Sequence, residues 1–152
     1  MDVRSRLTEL GLRLPGVSPP KGVYTPAVRS GRYVQVSGQV PMAGGELVAT
    51  GLVGAEVTAE RARELSRQCG LAALAALDAV AGLDTLVRVV KVVGYVSSKE
   101  DFTGQAEVVD GASELFGAVL GDAGRHARSA VGTGVLPLGA PVEIEVLFEV
   151  AD

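Results

Sequence analysis

The 152-residue sequence predicts an α+β fold: a two-layer sandwich in which a mixed β-sheet carries two helices on one face. Three observations lead there. The hydrophobic period switches between two and about 3.6 in the order β-β-(β)-α-β-α-β-β. The two long helical stretches each carry one apolar stripe, which is buried by packing on an apolar sheet face. Small residues abound, with 20 Gly and a hydrophobic fraction of 47%, and a core of Val, Leu and Ala suits close helix-on-sheet packing.

Each element has a local reason. Residues 3–10 allow a short helix, with Leu7 and Leu10 at helical spacing. "LPGVSPPKG" then breaks structure with prolines and glycines. Residues 1–21 therefore read as an ordered arm on a single domain spanning 1–152. "VYTPAVR" and "RYVQVSG" read as strands joined at Ser30-Gly31, and "GGELVATG" allows a short edge strand. "TAERARELSRQCGLAALAALDAVAG" is the clearest helix. Thr58 is its expected N-cap and Gly82 its stop, with Leu65, Cys69, Ala72, Ala73, Ala76 and Val80 along one stripe.

"DTLVRVVKVVGYVSS" follows as a long strand, apolar on both sides, which marks a central position. Strict alternation puts Val87, Val89, Lys91, Val93 and Tyr95 on one side and Arg88, Val90, Val92, Gly94 and Val96 on the other. "DFTGQAEVVDGASELFGAVLGDAG" reads as the second long helix, capped by Asp101 or Thr103 and ending near Gly121, with Gly104 and Gly111 against it. Two strands, roughly 127–135 and 142–150, close the chain around "LPLGAP". In the last one Val142, Ile144, Val146, Phe148 and Val150 share one face, and Glu143, Glu145, Leu147 and Glu149 the other.

Composition narrows the function classes. A net charge of −4 and a pI near 5.0 disfavour nucleic acid as a partner, because phosphate binding needs a basic patch. Cys69 is the only cysteine. One thiol forms no internal disulfide and no cysteine-based metal site, and in a helix it packs as a small hydrophobe. No secretory signal and no membrane-length apolar run is present, so a cytoplasmic location is expected, with no membrane partner. There is no phosphate-binding glycine loop and no nucleophile elbow.

The residues left for chemistry are few. Arg128 could pair bidentately with a carboxylate ligand, or serve in a surface salt bridge. Glu143 shares an acidic strand face with Glu145 and Glu149. Such a face is either solvated or holds one carboxylate in a pocket, where it positions water. Ser37-Gly38 ends a strand, where a glycine lets another group approach and an N–H and a hydroxyl could hold a carboxylate. Tyr24 starts a strand. His126, the only histidine, lacks an evident partner.

Together these pieces resemble a known family. "VSGQVP", the helix after it, "RVVKVVGYVSSKEDF" and "ARSAVGTGVLPLGAPVEIE" are similar to the Rid (YjgF-type) reactive-intermediate deaminases, over about Gly22 to Val150. The resemblance implies a chorismate-mutase-like fold, a homotrimer with intersubunit sites, and no cofactor or metal. It implies hydrolysis of imines and enamines such as 2-aminoacrylate to 2-keto acids and ammonia. Carried over by position, the carboxylate-clamping arginine falls on Arg128 and the water-positioning glutamate on Glu143. The substrate-binding tyrosine, serine and glycine fall on Tyr24, Ser37 and Gly38. The family's "GPY" is "GVY" here, and Ala130 replaces a cysteine common after the arginine. The segment before Arg128 is longer, as in a divergent subgroup.

Geometry adds one expectation. If the last two strands form a symmetric hairpin about Leu138-Gly139, residue 143 lies opposite about residue 134. At about 3.3 Å per residue, Arg128 is then roughly 20 Å away. Either the hairpin is not symmetric or a neighbouring subunit supplies Glu143; the second is the expectation. Three functions follow for testing: an imine/enamine deaminase, a non-catalytic trimer binding small carboxylates, and a ribonuclease. The acidic charge and the lone histidine disfavour the third.

Overall fold

Apolar alternation and capping residues generate the elements of this computed structural model, which describes residues 2–152. Helix α1 spans Val3–Glu9, with Asp2 as its N-cap. Strands β1 (Ala27–Ser30) and β2 (Tyr33–Gln39) form an antiparallel hairpin. The Ser30–Tyr33 pairing moves the turn one residue on, to Gly31-Arg32. Strands β3 (Met42–Ala43) and β4 (Glu46–Leu47) make a separate two-stranded hairpin around Gly44-Gly45 rather than an edge of the main sheet.

Helix α2 spans Ala59–Ala81; the Thr58 side chain accepts the Arg61 N–H, and Gly82 at φ 83° closes the helix. Strand β5 is Leu86–Ser97 and α3 is Gln105–Leu120. Helix α3 begins at Gly104 without a side-chain cap, so neither Asp101 nor Thr103 plays that part. Strands β6 (Ala127–Thr133) and β7 (Val142–Val150) complete the chain.

The five-stranded sheet has the order β1-β2-β7-β5-β6. Strand β6 runs parallel to β5, and β7 runs antiparallel to both β5 and β2. The expected hairpin of the last two strands therefore does not exist: β5 lies between them. Eight residues, 134–141, cross the end of β5, which is longer than the two to five residues of most hairpin loops.

The two long helices pack against one face of the sheet, α2 over β2 and β7 and α3 over β5 and β6. Val34, Val36, Val92, Val96, Ile144, Val146 and Phe148 face them, fully buried. In β5 the register shifts between Val89 and Lys91. This bulge places Val89 with Val92 in the core and breaks the strict alternation expected from sequence. Gly111 explains its own place in a helix: a Cβ there would overlap the Arg63 backbone carbonyl of α2, so glycine permits the close crossing of the two helices. The opposite sheet face has no helix, and Val28, Tyr33 and Val131 on it are each roughly half exposed.

Candidate functional site

The expected residues fall into two groups on opposite faces of the sheet. The first lies at the end of β2. The β2–β7 register shifts between Val36 and Gln39, so Ser37 and Gly38 sit in a bulge. The Glu143 carboxylate occupies the space that a side chain at position 38 would fill. Only glycine admits it there.

Glu143 is half-buried, and no ion pair neutralises it among the described residues. Burial, followed by the Glu145 charge, raises its pKa above the usual carboxylate range. Across from it in register stands Tyr95, whose phenol is raised by burial and then by the charges of Glu145 and Glu143. Cys69 is buried in α2 and its thiol is also pushed up, chiefly by burial and then by the Glu143 charge.

Tyr24 joins this group through a cavity that it lines together with Gly38. The Lys21 backbone N–H donates to the tyrosine hydroxyl at 3.4 Å. The Ser37 N–H donates to the Pro26 carbonyl at 2.8 Å and its hydroxyl to the Thr25 carbonyl at 2.7 Å. These bonds fasten the segment before β1 to β2.

The second group is built around Arg128 in β6. Arg128 is level with Val92 and Val146, both fully buried on the helix face. Its side chain accordingly reaches α3. Nη1 donates to Asp110 at 2.6 Å and to the Ser113 hydroxyl at 3.1 Å, and Nη2 donates to the Ala106 carbonyl at 3.3 Å. Two of the five guanidinium N–H groups keep no partner among the described residues.

His126 does have partners. A carbonyl only accepts, so His126 Nδ1–H donates to Gly124 O at 2.6 Å. Nε2 lies 2.9 Å from Ser113 Oγ, within hydrogen-bond distance. The ring also meets Phe116 edge-on.

Glu143 is level with Tyr95 and Val131, three residues along the sheet from the level of Arg128 and two strands away. At about 3.3 Å per residue and about 4.8 Å per strand, the two Cα atoms are roughly 14 Å apart. An offset of three also turns the side chains to opposite faces. The separation is thus shorter than the roughly 20 Å that a hairpin would give, and it arises with β5 lying between the two strands. Glu145 and Glu149 divide as well: Glu149 pairs with Arg32 at 2.9 Å, while Glu145 faces Tyr95. Asp110, Ser113 and Tyr95 escaped the sequence reading, and only the face parity of Tyr95 with Lys91 and Val93 signalled anything.

These features define a small α+β protein with a desolvated carboxylate on its open sheet face and a clamped arginine behind it. The chain belongs to the YjgF family: the model described as "YjgF/chorismate_mutase-like, putative endoribonuclease" matches residues 4–150. Protein TCP17 of Trypanosoma cruzi is 40% identical over 149 residues, covering 97% of this chain and 93% of that protein. Among solved structures, the Agrobacterium tumefaciens protein Atu1372, of unknown function, has a TM-score of 0.90 at 40% identity, covering 99% of this chain and 94% of the other. A "putative endoribonuclease" of Shewanella oneidensis MR-1 has a TM-score of 0.93 at 30% identity, covering 97% and 99%. The YjgF protein of E. coli aligns with a TM-score of 0.64 at 26% identity, covering 88% and 93%. The chorismate-mutase-like fold is therefore as expected. No helix among the described residues is long and apolar enough to cross a membrane.

Proposed function

We propose that the protein hydrolyses reactive 2-imino acids and their enamine tautomers to 2-keto acids and ammonia, as a homotrimer with sites between subunits. One observation carries the reading: a half-buried, unneutralised Glu143 held against Gly38 with its pKa raised. A carboxylate displaced toward neutrality is suited to exchange protons with water.

In this scheme Glu143 takes a proton from water as the water oxygen bonds to the imine carbon. It returns that proton to nitrogen, giving a carbinolamine; it then carries the carbinolamine hydroxyl proton to the same nitrogen as the C=O bond forms, the C–N bond breaks and ammonia leaves. The atoms balance with water alone. Arg128 binds the substrate carboxylate through the two N–H groups that α3 leaves free, and Tyr24 lines the approach. Because one chain turns Arg128 and Glu143 to opposite faces, the pair meets only when the open sheet face of one subunit receives the β6 edge of another. The half-exposed Val28, Tyr33 and Val131 give that face an apolar surface to bury.

The ribonuclease reading suggested by relatives' names draws less support. The net charge is −4, and both nitrogens of His126 are engaged. The test generates 2-imino acids with an amino-acid oxidase and follows their decay. Wild type is expected to accelerate it, and Arg128→Ala to lose about 100-fold in kcat/KM. No acceleration across a range of side chains, with keto-acid binding retained, would leave the non-catalytic carboxylate binder as the better account.

A further inference from the structure

The cavity beside Gly38 has walls that the reaction does not require. Its volume is about 50 Å³, room for about four water-sized spheres, which matches a small branched aliphatic group. Pro19 and Pro20 of the N-terminal arm form one wall, Val40 and Met42 after β2 another, and Leu138 a third. Tyr24 and Gly38 connect it to the Glu143 carboxylate. Lys21 at its rim is the only charged residue lining it.

Leu138 is the informative wall. It is the only non-glycine residue with positive φ among the described residues, at φ 62° and ψ 6°. That conformation costs an L-residue about 1–2 kcal/mol, and glycine would adopt it freely. The turn is held by the Gly139 N–H on Leu136 O at 3.1 Å and the Gly51 N–H on Gly139 O at 3.0 Å. Packing within the chain does not offset the strain, since the residue stays 59% exposed. A leucine kept in a glycine conformation and turned into a cavity has its counterpart outside the chain.

We infer that Leu138, Val40, Met42 and the arm prolines form a side-chain subsite, so that this protein prefers 2-imino acids with branched or medium-length aliphatic side chains over the alanine- and serine-derived ones. This rests on the deaminase reading for its reaction but not for its binding. The arm thereby becomes a specificity element: it contributes one of the three walls through Pro19 and Pro20, and α1, packed against α3, anchors it.

The experiment uses the full-length protein and Leu138→Gly, a substitution that relieves strain and so leaves the fold intact. Wild type is expected to bind 4-methyl-2-oxopentanoate at least about 10-fold more tightly than pyruvate by calorimetry, since even one methylene seated in an apolar pocket contributes about that much. Turnover of leucine-derived over alanine-derived imine should show the same bias. Leu138→Gly should cut the bias at least about threefold, with pyruvate affinity unchanged within twofold. Equal keto-acid affinities in wild type, or an unchanged bias in Leu138→Gly, would overturn the subsite. So would a Leu138→Gly protein that changes subunit mass while keeping its preference, because Leu138 would then serve assembly. Graded keto-acid binding without turnover would sustain the subsite and sink the deaminase reading alone.

Discussion

The Glu143 end and the Arg128 end of the sheet solve opposite electrostatic problems. Arg128 is charge-paired: a carboxylate at 2.6 Å, a hydroxyl at 3.1 Å and a carbonyl at 3.3 Å hold three of its five N–H groups. Glu143 is left uncompensated, half-buried beside a second carboxylate that pushes its pKa up further. A paired charge keeps its position and its protonation state. An unpaired, partly desolvated carboxylate is primed to change its own. The contrast fits a division of labour in which one end holds an anion and the other moves a proton.

The comparison is broken most severely at Gly38. A Cβ there would overlap the Glu143 carboxylate, so Gly38→Ala must displace it. Misplacement on the ångström scale is expected to cost about 100-fold in kcat/KM. Circular dichroism should remain that of wild type, because the overlap is with a flexible, partly exposed side-chain end. Retained activity in Gly38→Ala would remove Glu143 from the chemistry.

A smaller effect sharpens the same contrast through stability. The folded pKa of Glu143 lies above its unfolded value, so between the two the folded state binds more protons. Stability is then lost as pH rises through the folded pKa. Glu143→Gln carries no such penalty. Its thermal midpoint should match wild type below about pH 4 and exceed it by a few degrees at neutral pH. A wild type equal to or above the variant at neutral pH would mean that the carboxylate is compensated in the assembled protein.

Much of this contrast could be read from sequence, for identifiable reasons. Thr58 and Gly82 bound α2 because capping chemistry is local. The alternation of β7 placed Glu143, Glu145 and Glu149 on one face because its pairing with β2 and β5 keeps regular stretches over those residues. Two features stayed hidden because they depend on pairing partners. The bulges at Ser37-Gly38 and at Val90 shift face parity without any change in residue type. The insertion of β5 between β6 and β7 depends on which strand edge is free, which the six residues of LPLGAP between the expected strands do not reveal. Asp110 gave no signal, since its role arises only when the α3 crossover sets it over β6. Leu138 gave none either: its sequence neighbours permit a turn, and only the dihedral angle shows a leucine where glycine belongs.

Subunit complementation tests the central claim most directly. Arg128→Ala and Glu143→Gln are each expected to be nearly inactive. Mixed, unfolded and reassembled at equal concentration, they should recover roughly a quarter of wild-type turnover, because random assortment around a closed ring gives one site in four an intact arginine from one subunit and an intact glutamate from the next. Recovery near that level is the result predicted. Reassembled mixed trimers that stay as inactive as either parent would contradict an intersubunit site.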